Sequence, residues 1–428
     1  MASDLEDACD KPGQVAAPRR RALLASAAAG LVVGGGVGAG AVAGIGKGGP
    51  GSGSASSSGS GSGSGSGSAG GADWLNVTAA PYHADPAGVG DSTAGINQAL
   101  SDAGARPAPV AVYLPSGHYK TTGPLTVPAG VTLLGSGPGA ATIVPSSAWA
   151  AGGRPAGVIV LNGSTRLEGP NVVNVVVEGE HLPVAASGIL SANRPLNVVL
   201  QDVTVNRATN HGVDASGNGD AWYLDRVTAW YCGQNGYNIG IPDCTYTDCI
   251  AIYNGNHGWY SVNGTNCRLT GCRSEWNTNH GYYITGTSAA TGGLQLTGCS
   301  TDRNGINGVY IDATGTWPVL LTGMMLRRDG RHGTGKGYAA LRVNGARTPV
   351  IIDGMTVFPG LNDEGTGTES PGYGIQVEGT AGYVSVTNAY LHVLTAGISG
   401  SLSNGRAIAT RIGTWSSSAA IAREGDIA

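Results

Sequence analysis

Between residues 202 and 333 one pattern recurs six times, and within it one spacing never changes. The glycines that close Asn210-His211-Gly212, Gln234-Asn235-Gly236, Asn256-His257-Gly258, Asn279-His280-Gly281, Ile306-Asn307-Gly308 and Arg331-His332-Gly333 stand 24, 22, 23, 27 and 25 residues apart. Ten residues before each glycine stands a second anchor: Asp202, Arg226, Asp248, Gly271, Gly298 and Gly323. All variation in length falls after the glycine. Such a chain is assembled from repeated units, each with one part of fixed geometry and one part open to loops. Units of this size bury their apolar surface by stacking on one another.

The residues between the anchors alternate. Val203, Val227, Cys249, Cys272, Cys299 and Met324 follow the first anchor directly, and Val205, Ala229, Ala251, Ser274, Thr301 and Leu326 stand two further on. Tyr237, Ile239, Trp259, Tyr282, Ile284, Val309 and Ile311 share one parity after the glycine. Period-two alternation specifies strands. Leucine-rich repeats have a similar period, but their L-x-x-L-x-L pattern is absent. The prediction is an all-β fold, a single-stranded parallel β-helix, right-handed because parallel crossovers are. Looser coils continue it around Gly157, Gly188, Gly374 and Gly397. Coils stack about 4.8 Å apart, so equivalent positions form ladders. Asn210, Asn256 and Asn279 make one, interrupted by Gln234. His211, His257, His280 and His332 make another and read as turn-forming polar residues. Cys249, Cys272 and Cys299 stack inside, as do Cys244 and Cys267, either as buried thiols or with a bridge between coils.

The N-terminal region follows other rules. Arg19, Arg20 and Arg21 precede Ala22-Leu23-Leu24 and an uncharged Ala/Gly/Val run to Gly46. This resembles a twin-arginine export signal over residues 1–45, with Ala41-Val42-Ala43 as a cleavage site and an uncleaved membrane anchor as the alternative. Residues 46–71 are almost entirely Gly and Ser, a flexible linker whose ends would lie roughly 30 Å apart. The body spans 72–428, with a cap over 72–145 and coils over about 146–413. The expected location is extracellular: secreted, or tethered to the cell surface if the signal stays attached. A cleaved signal leaves no membrane span. A net charge of −4 with only 12% charged residues gives no basic stripe, which argues against a nucleic-acid partner.

The segment before the repeats carries more specific motifs. Trp74-Leu75-Asn76-Val77 leads to Ala84-Asp85-Pro86-Ala87-Gly88-Val89-Gly90-Asp91-Ser92-Thr93, then a short amphipathic helix to Ala103. Val112-Tyr113-Leu114-Pro115-Ser116-Gly117-His118-Tyr119 and Leu125 to Gly135 follow. This resembles the N-terminal cap of the pectate lyase superfamily, in its rhamnogalacturonase- and epimerase-like branch. The match is detailed from Trp74 to Gly135 and architectural to about Gly413. It implies a β-helix capped by a short helix, and a carbohydrate-active protein. The polygalacturonase-type Asp-Asp, Gly-His-Gly and Arg-Ile-Lys motifs do not occur, so no catalytic residue transfers by motif.

Parity places a candidate site. Four residues past the first anchor, facing outward, stand Asn206, Trp230, Ile252, Glu275, Asp302 and Arg327, and two past it stands Arg273. Glu275, Asp302, Arg273 and Arg327 should therefore cluster on successive coils as catalytic candidates. Carboxylates about 5 Å apart suit a retaining glycosidase. Arginines that neutralise a sugar carboxylate suit a lyase, with Glu275 and Asp302 able to hold Ca²⁺. Tyr260, Tyr283 and Tyr310, outward after the glycine, and Trp230 are the candidate sugar-contacting aromatics. Asp363, Glu364 and Glu369, in an insertion over 361–371, offer a second place for Ca²⁺. Two function classes stay open. One is a lyase or glycoside hydrolase acting on an acidic, pectin-like polysaccharide, which the resemblance favours. The other is a non-catalytic glycan-binding or surface-display protein.

Overall fold

The computed structural model describes residues 74–414, apart from 154, 164–166, 218, 264, 288–291, 334–336, 346, 380–381, 401, 403–405 and 409. The export signal, cleavage site and linker read from residues 1–71 lie outside the described residues. The chain winds as a right-handed parallel β-helix of three sheets, numbered here in the order the chain enters them. Sheet 1 has thirteen strands from Trp74–Asn76 to Arg406–Ile408, and sheet 2 thirteen from Ala87–Asp91 to Arg411–Thr414. Sheet 3 has eleven strands, from Leu125–Pro128 to Ala396–Gly400. Each strand pairs in parallel with its counterparts one coil before and after. No helix among the described residues is long and apolar enough to cross a membrane.

The fixed spacing has a backbone cause. The residues that turn the chain from sheet 1 to sheet 2, Asn174, Asp202, Arg226, Asp248, Gly271, Gly298, Gly323, Gly354 and Asn388, all have φ between +50° and +69°. A left-handed residue turns the chain tightly, and Gly, Asn and Asp adopt it most readily. Hydrogen bonding runs on through the bend, with Asp248 N–H donating to Thr270 O at 2.9 Å and Gly271 N–H to Thr297 O at 3.0 Å. The corner leaving sheet 2 repeats the device with larger residues: Arg207, Tyr231, Tyr253, Trp276, Arg303 and Arg328 have φ of 51° to 58°. Such conformations cost about 1–3 kcal/mol in bulky residues. They are held by N–H donation to the next coil, as from Tyr253 to Glu275 O at 3.1 Å and from Trp276 to Asp302 O at 2.9 Å, and by stacking. Tyr231 stacks on Tyr253 at 5.0 Å and Tyr253 on Trp276 at 5.6 Å. The Arg207 and Arg331 guanidiniums lie over the ends of this column.

The interior repeats by position. Tyr237 stacks on Trp259 with ring centroids 3.7 Å apart, and Tyr282 continues the column. All six cysteines of the body are buried free thiols. Both predicted cysteine columns are present, without a bridge. The buried asparagine ladder lies two residues before the predicted one. Asn254 Nδ2 donates to Asn277 Oδ1, Asn277 Nδ2 to Asn304 Oδ1 and Asn304 Nδ2 to Asp329 Oδ1, at 2.9, 2.9 and 2.8 Å. Position explains the difference: these residues sit at the inner side of the corner, where backbone N–H groups need buried acceptors. Asn279 and Asn256 do bond each other, on the outer side, at 2.6 Å.

The sixth repeat departs from expectation. Val309 pairs with Leu341, so Ala340 rather than Gly333 is the equivalent of Gly308. An insertion between Gly323 and Ala340 breaks the ten-residue offset, and His332 falls outside the histidine ladder. At the N-terminal end the helix Thr93–Gly104 buries Ile96, Ala99, Leu100 and Ala103 over the mouth of the first coil. Gly95 lets the helix lie against the preceding loop, since a Cβ there would lie 2.2 Å from Tyr82 O. The aspartates of the cap motif hold its turns: Asp85 accepts from the N–H groups of Ala87, Val89 and Gly90, and Asp91 from Thr93 and Thr122.

Candidate functional site

Glu275 and Asp302 pair directly across adjacent strands of sheet 2, as do Arg273 with Ser300 and Asp302 with Arg327. The predicted quartet therefore does assemble on the outer side of neighbouring coils. Its electrostatics are closed. Glu275 Oε1 accepts from Arg273 Nε and an Arg273 terminal nitrogen at 2.9 and 2.8 Å. Asp302 Oδ2 accepts from Arg327 at 3.0 Å and from Arg328 at 2.6 Å, and its Oδ1 from Arg328 Nε at 2.8 Å. The two carboxylate side chains are only 9% and 6% exposed. Arg328, which sequence reasoning missed, also binds Asp363 at 2.7 Å and so ties the insertion to this ladder. A divalent cation does not fit here, because Glu275 Oε1 and both Asp302 oxygens already accept from three guanidiniums, whose charges would repel it. Among the described residues no group of three His, Cys, Asp or Glu side chains is placed to hold a metal.

The aromatic candidates divide. Trp230 stands on the same ladder as Glu275, with Ile252 between them, and is 41% exposed. Tyr260, Tyr283 and Tyr310 form a row as predicted, but on sheet 3 rather than beside the quartet. The corner over residues 276–281 turns the chain between the two sheets, so outward there faces a different direction.

The tyrosine row leads into polar groups that the repeat pattern did not reach. Arg342 pairs with Tyr310 and Gln376 with Arg342, so the row continues through both. A second outward row, two residues on, carries Thr285, Asp312, Asn344 and Glu378. The Tyr283 hydroxyl faces Asp312 Oδ2 at 3.5 Å, and Asn344 Nδ2 lies 3.1 Å from the Tyr310 hydroxyl and 3.4 Å from Asp312 Oδ1. Arg342 donates to Glu378 Oε2 through Nε at 3.1 Å and lies over the Tyr310 ring at 5.9 Å. Burial, then the nearby Asp312 carboxylate, pushes the Tyr283 phenol up to about 12, so it stays protonated and can donate. The parity that placed Tyr310 outward would have placed Asp312 too. Arg342, Asn344 and Glu378 lie past the insertion that hid the register.

The histidine ladder edges this face. His211 Nδ1 accepts from Asn235 N–H, His257 Nδ1 from His280 N–H and His280 Nδ1 from Asn307 N–H, at 3.2, 3.2 and 3.3 Å. Accepting at Nδ1 puts the proton of each neutral ring on Nε2. Burial holds His257 down at about 4 and His280 at about 3. The His280 ring lies 4.7 Å from Tyr310 and 5.6 Å from Tyr283, centroid to centroid.

The family model for rhamnogalacturonase A/epimerase, pectate lyase-like proteins matches residues 74–283. The chain belongs to the pectate lyase-like superfamily. Solved structures show the same β-helix. The mannuronan C-5 epimerase AlgE6 A-module of Azotobacter vinelandii superposes with a TM-score of 0.59 at 17% identity, over 80% of this chain and 100% of that one. The AlgE4 A-module from the same organism gives 0.52 at 17%, over 82% and 100%. The enzymatically active domain of bacteriophage CBA120 tailspike protein 2 gives 0.55 at 14%, over 74% and 47%. At these identities the likeness is one of fold. No curated protein sequence matches this pectate lyase-like chain.

Proposed function

We propose that this protein acts on an acidic polysaccharide along the outer face of sheet 3, outside the cytoplasm. The observation that carries the reading is the in-register row Tyr260, Tyr283, Tyr310 and Arg342 with Asp312, Asn344 and Glu378 beside it. Consecutive tyrosines give apolar area and hydroxyls for successive sugar rings. Arg342, held in place by Glu378, is the cation for a sugar carboxylate. With that charge neutralised, the adjacent C5 proton becomes acidic enough to remove. Asp312 is the acceptor within reach of this face, and Tyr283 is the donor. Loss of the substituent at C4 after proton removal makes the reaction a lyase reaction. Return of a proton to the other side of C5 makes it an epimerase reaction, the activity named for the two Azotobacter modules. Glycoside hydrolysis finds less support, since the adjacent carboxylates of sheet 2 are closed by arginines. The Arg19–Leu24 pattern supports the extracytoplasmic part of the reading.

The test is incubation with a panel of acidic polysaccharides in D₂O, with and without Ca²⁺. Ultraviolet-absorbing unsaturated products mark elimination, deuterium at C5 without chain cleavage marks epimerisation, and reducing ends alone mark hydrolysis. Arg342→Ala should lower turnover about 10²-fold or more with the fold intact. Arg327→Ala should leave turnover nearly unchanged, and a loss there as large as in Arg342→Ala would move the site to sheet 2. Binding without any product would establish the non-catalytic glycan-binding alternative.

A further inference from the structure

Far from the tyrosine face, at the N-terminal end of sheet 2, a cleft of about 450 Å³ opens between the first coils. His118, Lys120, Ser146, Ser147 and His181 give it polar walls, and Val144 and Pro145 an apolar floor. Its placement follows from register: His118 and Lys120 face outward on Gly117–Thr121, with Lys120 opposite Val144 on the next strand. Lys120 is half-buried, and while its backbone carbonyl accepts from Ser92 N–H, its side chain has no hydrogen-bond or ion-pair partner among the described residues. The carboxylates around the cleft are all engaged elsewhere. Asp91 accepts from Thr93 and Thr122, Asp85 from three backbone N–H groups, Glu178 from Asn206 and Glu180 from Arg207. A half-buried ammonium without a counter-ion, with imidazoles and hydroxyls around it in a sugar-sized cleft, is a site for one anionic group on a polar ring.

We infer that the cleft bounded by His118, Lys120 and His181 is a second glycan-binding site, taking a sugar unit that carries a single carboxylate. Lys120 pairs with the carboxylate, the serine hydroxyls and imidazoles bond ring hydroxyls, and Val144 and Pro145 meet the apolar face. The unpaired charge is a single lysine and the rim carries engaged carboxylates, so the site selects one uronate unit over densely charged polyanions. The inference rests on the acidic-polysaccharide reading only for the identity of the polymer. Its position on sheet 2 makes it separable from the tyrosine face.

The experiment follows the ring signals of His118 and His181 by NMR in the full chain at fixed pH, titrated with D-galacturonate, D-galactose and inorganic sulfate. Galacturonate should shift both rings saturably in the millimolar range, with galactose without effect at the same concentrations. Lys120→Ala, an outward substitution, should weaken galacturonate binding at least fivefold. Arg342→Ala should bind galacturonate in this cleft like the parent protein while losing polymer turnover. Equal shifts with galactose, equal affinity for sulfate, or unchanged binding in Lys120→Ala would each overturn the inference. Binding here in a protein that turns over no polysaccharide would sink the proposed activity and leave this site standing.

Discussion

His280 and Asp329 are buried titratable side chains whose ladders force them to opposite protonation behaviour. His280 must stay neutral, because its Nδ1 accepts from Asn307 N–H, and burial, with His257 and the Arg342 cation nearby, disfavours a second proton. Its folded pKa of about 3, and that of His257 at about 4, lie below the ordinary histidine value of about 6.5. The stability these rings contribute is therefore complete above about pH 6.5 and is lost as pH falls towards 3. His280→Asn, which puts the residue of ladder positions 235 and 307 there, should flatten the acid side of the stability profile in urea titrations from pH 3 to 7. An unchanged profile would show that His280 does not carry it. Asp329 behaves in the other sense. Fully buried, it is pushed up to about 7 by desolvation despite donation from Thr301 and Asn304. The folded state then holds a proton that the unfolded state releases near 4, and stability falls as pH rises through 7. Asp329→Asn extends the asparagine ladder and should stabilise the protein at pH 8 by on the order of 2–4 kcal/mol, with little effect below pH 4. A destabilised variant at pH 8 would mean the carboxylate is needed as such.

At the scale of the element, what could be read in advance depended on whether backbone geometry constrained the spacing. The turn from sheet 1 to sheet 2 requires one left-handed residue, and that requirement left Asp202, Arg226, Asp248, Gly271, Gly298 and Gly323 in register in the sequence. Parity from those anchors placed Glu275 opposite Asp302 and Tyr283 opposite Tyr310. The corner between sheets 2 and 3 keeps its length through the five coils that end at Gly308, but it lengthens in the next coil, between Gly323 and Ala340, and there the pattern fails. Gly333 imitates the repeat but is not its sixth glycine, and Arg342 and Glu378 stayed hidden behind the two insertions. Nor could spacing show that Arg328 rather than substrate would fill Asp302, since that contact depends on the path of the corner. Besides the Arg328 contacts, the insertion near 361–371 is held by a fully buried side chain. Arg303 donates to Gly360 O, Thr368 O, Arg328 O and Ser370 Oγ at 3.3, 3.0, 3.2 and 2.9 Å, and to Asn362 Oδ1. Arg303→Met keeps the aliphatic stem and leaves Thr368 O and Asn362 Oδ1 without their donor, while Arg328 O and Gly360 O still accept from Ser370; the cost is about 1–3 kcal/mol for each acceptor that water cannot reach. Limited proteolysis should then cut within 361–370 well before the rest of the body. Equal resistance in variant and parent would show that the insertion is held by other contacts.

The whole molecule is a stack in which each coil touches mainly its neighbours, so its stability should follow nearest-neighbour terms rather than one global core. Register makes this testable by subtraction. Thr204 pairs with Thr228 and Asn206 with Trp230, so Val203 and Val227 occupy equivalent positions on successive coils. Deleting Val203–Arg226 joins Asp202 to Val227 and removes one complete turn of all three sheets. The strands on either side meet in the correct parity, the left-handed turn residue is retained at Asp202, and the row from Tyr260 to Glu378 is untouched. The shortened protein should fold with its near-ultraviolet circular dichroism preserved in character. Its urea m-value should fall roughly in proportion to the surface removed, and its midpoint should drop because Tyr237 and Asn238 meet a new neighbour. Any turnover that depends on Arg342 should persist. Deleting only Val203–Ala215 removes about half a coil, throws sheet 2 strands against sheet 3 strands, and should abolish cooperative unfolding. If the full-coil deletion also fails to fold, the coils are not interchangeable units, and long-range packing rather than stacking sets the stability of the solenoid.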